Sequence, residues 1–188
     1  MRDFDVRAAV HRGLAADHEG QPDTLFVDEL GLRGQVRVDV AVVNGALSGF
    51  ELKSASDTLR RLPLQVEVYS QVMDYATLVV ADNHLEASTQ MLPQWWGVVV
   101  ASWREGRVEL ERFREPVRNP AVDPMALAEL LWREETLEIL EELGLATGFR
   151  SKPRAVLWDR LAEAMDVETL GGHVRRRLKA RQGWRSAR

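Results

Sequence analysis

The feature that most constrains this chain is a nineteen-residue stretch in which two alternating runs face each other across a turn. Gln35-Val36-Arg37-Val38-Asp39-Val40-Ala41-Val42-Val43 has period two with its even positions apolar, Asn44-Gly45 marks a tight turn, and Ala46 to Lys53 returns. A hairpin of this kind fixes which side chains share a face. Glu51 and Lys53 leave one face of the second strand, and Phe50 and Leu52 leave the other. Asp39 belongs to the odd face of the first strand, away from Val38 and Val40. A two-residue Asn44-Gly45 loop would pair Asp39 with Phe50 and separate the charges. A three-residue loop, Asn44-Gly45-Ala46, pairs Val43 with Leu47 and sets Asp39 across from Glu51, and a bulge at Gly49 would act similarly. Either of the latter is the expectation, because the shorter loop forces Phe50 and Asp39 into one environment.

Two carboxylates and an ammonium then crowd together. Opposed carboxylates repel, and a divalent cation would compensate. Oxygen ligands with water in the remaining positions suit Mg²⁺ or Mn²⁺ rather than zinc. Lys53 could hold an attacking water or hydroxide and stabilise charge developing on a phosphate. The plain alternative is a solvated hairpin in which Glu51 and Lys53 form a surface pair of little value.

Around the hairpin the pattern is α/β. Phe4, Val6, Ala9, Val10 and Leu14 recur at helical spacing over residues 3 to 16, and the polar stretch His18 to Asp23 reads as a loop. The conformation of Phe26 to Leu30 stays open. Asp57 reads as a helix cap, and a helix runs from near Leu62 to Tyr75, with Pro63 in its first turn. Thr77 to Ala81 and Gly97 to Ala101 are almost wholly apolar, as for strands buried on both faces, with a helix over Leu85 to Met91 between them. Val108 to Phe113 alternates like an edge strand. Beyond Pro116 the pattern is helical: Pro124 to about Leu143, Lys152-Pro153 to Met165, and Val167 to Arg181. The expected boundary therefore divides an α/β core, 1–116, from a helical extension, 117–188.

A second element follows the hairpin. Gln65 and Tyr69 stand at i and i+4 and project from one helix face. Tyr69 also falls on the apolar stripe of Leu59, Leu62, Val66 and Met73, so a core tyrosine with a polar tip is an equal reading. Val38-Asp39, the spacing to Glu51-Leu52-Lys53 and the helix after it resemble the PD-(D/E)XK nuclease superfamily. The likeness covers Thr24 to Ala81. Gln65-Val66-Glu67-Val68-Tyr69 resembles the Gln-x-x-x-Tyr motif of its RecB-like members. Val-Asp-x-Ala-x-x-Asn-Gly, Phe-Glu-x-Lys-Ser and Asp-Thr-Leu-x-Arg-Leu-Pro resemble a small bacterial and phage family within it. Val38 stands where the motif's nominal proline would be.

The resemblance implies a restriction-endonuclease-like core, a central mixed sheet flanked by helices, with catalytic Asp39, Glu51, Lys53, Gln65 and Tyr69. It also implies Mg²⁺ or Mn²⁺ held by Asp39 and Glu51, and an acidic ligand from the N-terminal region. Glu29 is the candidate and Asp28 the second; each also reads as an ordinary surface acid. The activity implied is phosphodiester hydrolysis, with DNA as the expected partner. The rival is a nuclease-fold protein that no longer cuts and serves as a binding or regulatory module.

Charge and composition bound the rest. The net charge of −4 gives no reason to expect a polyanion partner, but its distribution does. Asp123 to Glu142 is mostly acidic, whereas the stretch from Gly171 holds Arg175, Arg176, Arg177, Lys179, Arg181, Arg185 and Arg188 without an acid. Such an arm could bind nucleic acid, or Val174, Leu178 and Trp184 could pack it onto the body. There is no cysteine, which excludes disulfides, thiol nucleophiles and zinc ribbons and fits a reducing compartment such as the cytoplasm. Residues 1 to 14 lack the apolar core of a signal peptide, and no apolar run approaches the roughly 20 residues of a membrane span. A homo-oligomer stays possible. His11, His18, His84 and His173 show no metal-ligand spacing, and Trp95-Trp96 reads as core or interface.

Overall fold

A computed structural model describes residues 1–181, so Trp184, Arg185 and Arg188 lie outside the described residues. The described residues form one six-stranded mixed sheet in sequential order with helices on both faces. Helix α1 (Asp3–Asp17) precedes the antiparallel strands β1 (Leu25–Leu32), β2 (Val36–Val43) and β3 (Leu47–Lys53). Helix α2 (Leu62–Val72) then crosses over to β4 (Tyr75–Ala81), which runs parallel to β3. After α3 (Leu85–Thr89) comes β5 (Gly97–Arg104), parallel to β4, and then the antiparallel edge strand β6 (Arg107–Arg114). Four helices follow among the described residues: α4 (Pro124–Ala128), α5 (Arg133–Glu142), α6 (Arg154–Ala164) and α7 (Val167–Ala180). The α/β fold with a C-terminal helical region is as expected. Among the described residues no helix is long and apolar enough to cross a membrane.

Two apolar layers sandwich the sheet. Beneath α1, Val6, Val10 and Leu14 pack on Val40, Val42, Leu52 and Val79. On the opposite face α2 and the C-terminal helices form a single cluster, in which Tyr69, Val72 and Leu78 share a core with Leu127, Ile139, Leu161, Leu170 and Val174. The passage between Pro116 and Pro124 is thus a change of secondary structure and not a gap in packing.

The segment left open around Phe26 to Leu30 is strand β1, and the reason it resists reading is a left-handed residue. Glu29 has φ of 57°, rare for a residue with a side chain. It lies in register opposite Asp39, between the pairs Asp28–Val40 and Leu30–Val38. At this point both strands change faces. Val36 and Val38 join the α2 layer together with Ala41 and Val43, whereas Val40 and Val42 lie beneath α1. The even-position pattern therefore does not mark one continuous face, and Asp39 sits at the switch rather than on a simple odd face.

Three other expectations are corrected. Asp57 does not cap a helix; its carboxylate accepts the Ser54 N–H at 2.7 Å, and a 3₁₀ turn over Leu59–Arg61 leads into α2. Helix α2 ends at Val72, and Tyr75 already opens β4. The helix expected over Pro124 to Leu143 is two, because Glu135 accepts the Trp132 N–H at 2.7 Å and starts a new helix there.

Candidate active site

The turn joining β2 and β3 is the three-residue loop. Val43 pairs with Leu47, and the register runs without a bulge to Val40 opposite Phe50. Asn44 closes the loop by accepting the Ala46 N–H at 3.0 Å. Beyond Val40 the strands part. The carboxylate of Asp39 enters the fork and accepts the Leu52 N–H at 2.8 Å, replacing the partner that a strand would have supplied. Strand β3 meanwhile continues in pairing with β4, with Glu51 beside Leu78 and Lys53 beside Val80. The carboxylates thus come together where β2 splays from a strand that β4 still holds.

Glu51 is the hub. Its side chain is 1% exposed, and one oxygen receives both the Lys53 ammonium and the Gln65 amide, the latter at 2.5 Å. The other oxygen accepts the Tyr69 hydroxyl at 2.7 Å. Gln65 and Tyr69 do share one face of α2, and that face looks onto Glu51. Both readings of Tyr69 hold together: its ring is fully buried and stacks on Trp96 at 5.4 Å, while its hydroxyl serves the carboxylate. Gly49 makes room for that ring, since a Cβ there would come within 3.3 Å of Tyr69 Cδ2 and 3.2 Å of Met73.

Burial, reinforced by the charge of Asp39, pushes the Glu51 carboxyl up to about 7, against the opposing pull of Lys53 and Tyr69. Burial also raises Asp39, although the Leu52 N–H and Arg7 favour its ionised form. Tyr69 is pushed well above its ordinary value by burial and by facing Glu51. Two adjacent carboxyls that both ionise reluctantly are what a cation would relieve.

Arg7 of α1 supplies a cation that sequence reading missed. Its guanidinium donates to the Asp39 carbonyl at 2.7 Å, to the Asp39 carboxylate at 3.1 Å and to Glu29 at 3.1 Å. Nothing in its spacing marks it, because the contact joins residues far apart in the chain. Glu29 reaches the site through Arg7 and also pairs with Arg37 at 3.1 Å. Asp28 turns instead to His11 at 2.9 Å. A groove of about 670 Å³ runs along α1 past Arg7, His11, Asp28 and Glu29.

Among the described residues no three His, Cys, Asp or Glu side chains are grouped so that they could together hold a metal ion. The donors that do meet are the carboxylates of Asp39 and Glu51. Beside them lies the Gln65 Oε1, a buried oxygen with no hydrogen-bond partner. An all-oxygen set that leaves several positions to water fits a hard divalent cation such as Mg²⁺.

The basic residues of α7 do not converge on this site. Arg175 pairs with Asp74 at 3.3 Å, Arg177 with Glu138 at 2.7 Å and Glu142 at 2.5 Å, and Lys179 with Asp23 at 2.5 Å. Arg181 binds Glu135 at 2.6 Å and lies over the Trp132 ring. Of the arm's cations among the described residues, Arg175, Arg176, Arg177, Lys179 and Arg181, Arg176 is the exposed one. Val174 and Leu178 are fully buried, so this helix is packed onto the body.

A family model described as Bacteriophage P4 protein cII matches residues 4–187. Protein cII of Enterobacteria phage P4 is 24% identical over 145 residues, which is 77% of this chain and 55% of that protein. The chain therefore spans about half the length of the curated relative it matches. Among solved structures, the SPO1766 protein of unknown function from Silicibacter pomeroyi aligns with a TM-score of 0.48 at 19% identity. That alignment covers 81% of this chain and 98% of the other. The family match takes in α1 with Arg7, the hairpin with Asp39, Glu51 and Lys53, and the α2 face with Gln65 and Tyr69, and the chain belongs to the bacteriophage P4 protein cII family.

Proposed function

We propose that this protein is a metal-dependent nuclease of the PD-(D/E)XK type that hydrolyses phosphodiester bonds, with DNA as its substrate. The observation that carries the reading is the convergence on Glu51 of Lys53, Gln65 and Tyr69, with Asp39 across the fork. Asp39 and Glu51 would hold Mg²⁺ or Mn²⁺. Such an ion, when bound, polarises a phosphoryl oxygen and makes hydroxide available near neutral pH. Glu51 must first lose its proton, and Lys53 and the Tyr69 hydroxyl favour that loss. The Lys53 ammonium, on the Glu51 oxygen that also accepts the Gln65 amide, is placed to hold the attacking oxygen and to stabilise negative charge as the phosphorus–oxygen bond breaks. Gln65 fixes Glu51 through its amide N–H and leaves Oε1 free to accept a hydrogen bond from bound water.

A second reading has one observation in its favour. Lys53 and Arg7 already neutralise the two carboxylates from within, as in a nuclease fold that has given up cutting and serves as a binding module. Purified protein incubated with Mg²⁺ or Mn²⁺ against linear, circular, branched and single-stranded substrates separates the two. Cleavage that EDTA stops and Asp39→Asn abolishes supports the enzyme. Failure on every substrate with either metal, together with no measurable Mn²⁺ binding, overturns it.

A further inference from the structure

We propose that Arg7 is a positioning residue: from helix α1 it fixes the carboxylate of Asp39 for a divalent cation. This rests on the metal-site reading of Asp39 and adds a residue from outside the hairpin and α2.

Three observations carry it. First, Arg7 grips Asp39 at two places, its carbonyl and its carboxylate, at 2.7 and 3.1 Å. A planar guanidinium can do this with two donors of fixed geometry, and a lysine cannot. Second, Asp39 needs such a hold. It lies where β2 and β3 part, so the carboxylate is oriented by the Leu52 N–H on one oxygen and by Arg7 on the other. Third, Arg7 is itself tied down. Glu29 accepts from it at 3.1 Å, Asp3 lies at 3.5 Å, and neighbouring Val6 is fully buried beneath the sheet. The left-handed backbone of Glu29 falls at the register position facing Asp39, so a locally strained segment supports the same contact.

A merely electrostatic role predicts something different. Arg7 as a competing cation would repel a metal, and its removal would tighten metal binding. As a positioning group its removal weakens binding, and Arg7→Lys weakens it as well although the charge is kept. Loss of groups that orient metal ligands commonly lowers affinity by roughly 10–100-fold.

The test measures Mn²⁺ binding calorimetrically in wild type, Arg7→Lys and Arg7→Gln, and amide hydrogen exchange at Leu52 in the metal-free proteins. Arg7→Lys guards against a Gln variant that fails to fold. The expected result is Mn²⁺ affinity lowered about tenfold in Arg7→Lys, with faster exchange at Leu52 and unchanged protection at Leu78 and Val79 in β4. Wild-type affinity and Leu52 exchange in Arg7→Lys, or tighter Mn²⁺ binding in Arg7→Gln, overturns the proposal. Protection lost throughout α1 and β4 alike also overturns it, since Arg7 would then serve the fold at large. If wild type neither binds Mn²⁺ nor cleaves, the nuclease reading falls by itself. The Leu52 exchange then still upholds or overturns the hold of Arg7 on Asp39.

Discussion

Removing one oxygen from the site, by Tyr69→Phe, should move the pH at which the protein takes up metal. The ring of Tyr69 packs on Trp96 and against Gly49, and phenylalanine keeps both contacts. What is lost is the 2.7 Å hydrogen bond to Glu51, one of the few influences that hold its carboxyl down to about 7 against burial and Asp39. A hydrogen bond to a charged group contributes roughly 1.5–3 kcal/mol, and about 1.4 kcal/mol corresponds to one pH unit. A rise of about one unit is therefore the minimum expected. Metal needs the ionised form, which is half populated at pH 7 in wild type and about a tenth populated in the variant. Mn²⁺ affinity should then fall about fivefold at pH 7 and about tenfold at pH 6, with the gap closing toward pH 8.5. Titration calorimetry across that range, with thermal midpoints as a control, reads this directly. An equal loss at every pH would mean that the hydroxyl acts through packing, and an unmoved curve would mean that it does not govern Glu51.

Other expectations follow from the same geometry. Lys53→Ala should reduce cleavage at saturating metal by at least about 100-fold, as for loss of charge stabilisation at a developing anion; activity that survives the change, or persists in EDTA, sinks the catalytic reading. Because Glu51 is raised in the folded state, its share of stability is present at low pH and lost as pH climbs from about 4.5 toward 7. Metal-free protein should lose up to about 3 kcal/mol across that window relative to Glu51→Gln. His173, lowered mainly by burial, pulls the other way near its ordinary value, so the comparison with the variant isolates Glu51; parallel urea-unfolding curves for the two would refute the assignment. Gln65→Ala should lower turnover while hardly changing the thermal midpoint; a large stability loss at unchanged turnover makes Gln65 structural. Truncation after His173 removes the buried Val174 and Leu178 and should abolish cooperative unfolding, whereas a folded product with a flattened salt dependence of DNA binding would restore the view of this helix as a nucleic-acid arm.

The hairpin, the Glu51–Lys53 face and the Gln65–Tyr69 face were legible because each rests on spacing within one element, where period two or 3.6 fixes direction. The loop choice was legible too, since only the longer connection or a bulge lets charged and apolar residues keep separate environments. Legibility ends where geometry depends on the far side of the fold. Arg7 meets Asp39 only because α1 packs beneath β2 and β3. The change of faces at Glu29 and Asp39 is hidden because valines on both sides of it keep the even-position pattern intact. The arginines of α7 looked like a free cationic arm because their acids, Glu135, Glu138 and Glu142, lie on another helix. Asp57 had the right identity for a cap and found a nearer donor in Ser54.

The passage from β6 into the C-terminal helices does more than connect them. Asn119 donates to the carbonyls of Ser70 and Met73 at 2.8 and 2.9 Å, and Asp123 donates its N–H to Gln71 at 2.9 Å. These are carbonyls at the end of α2, the ones a helix terminus leaves unmatched. Helix ends ordinarily fray on fast timescales, and one turn upstream of this end stands Tyr69. Closing it from behind, and then covering it with α4, removes that local breathing. Withdrawal of the hydroxyl from Glu51 by unwinding of this helix end should then require the helical layer to let go as well. The lifetime of the assembled site should thereby follow the opening of the helical layer, and a protease probing the Pro116 to Pro124 passage is expected to meet the site and the tail failing together.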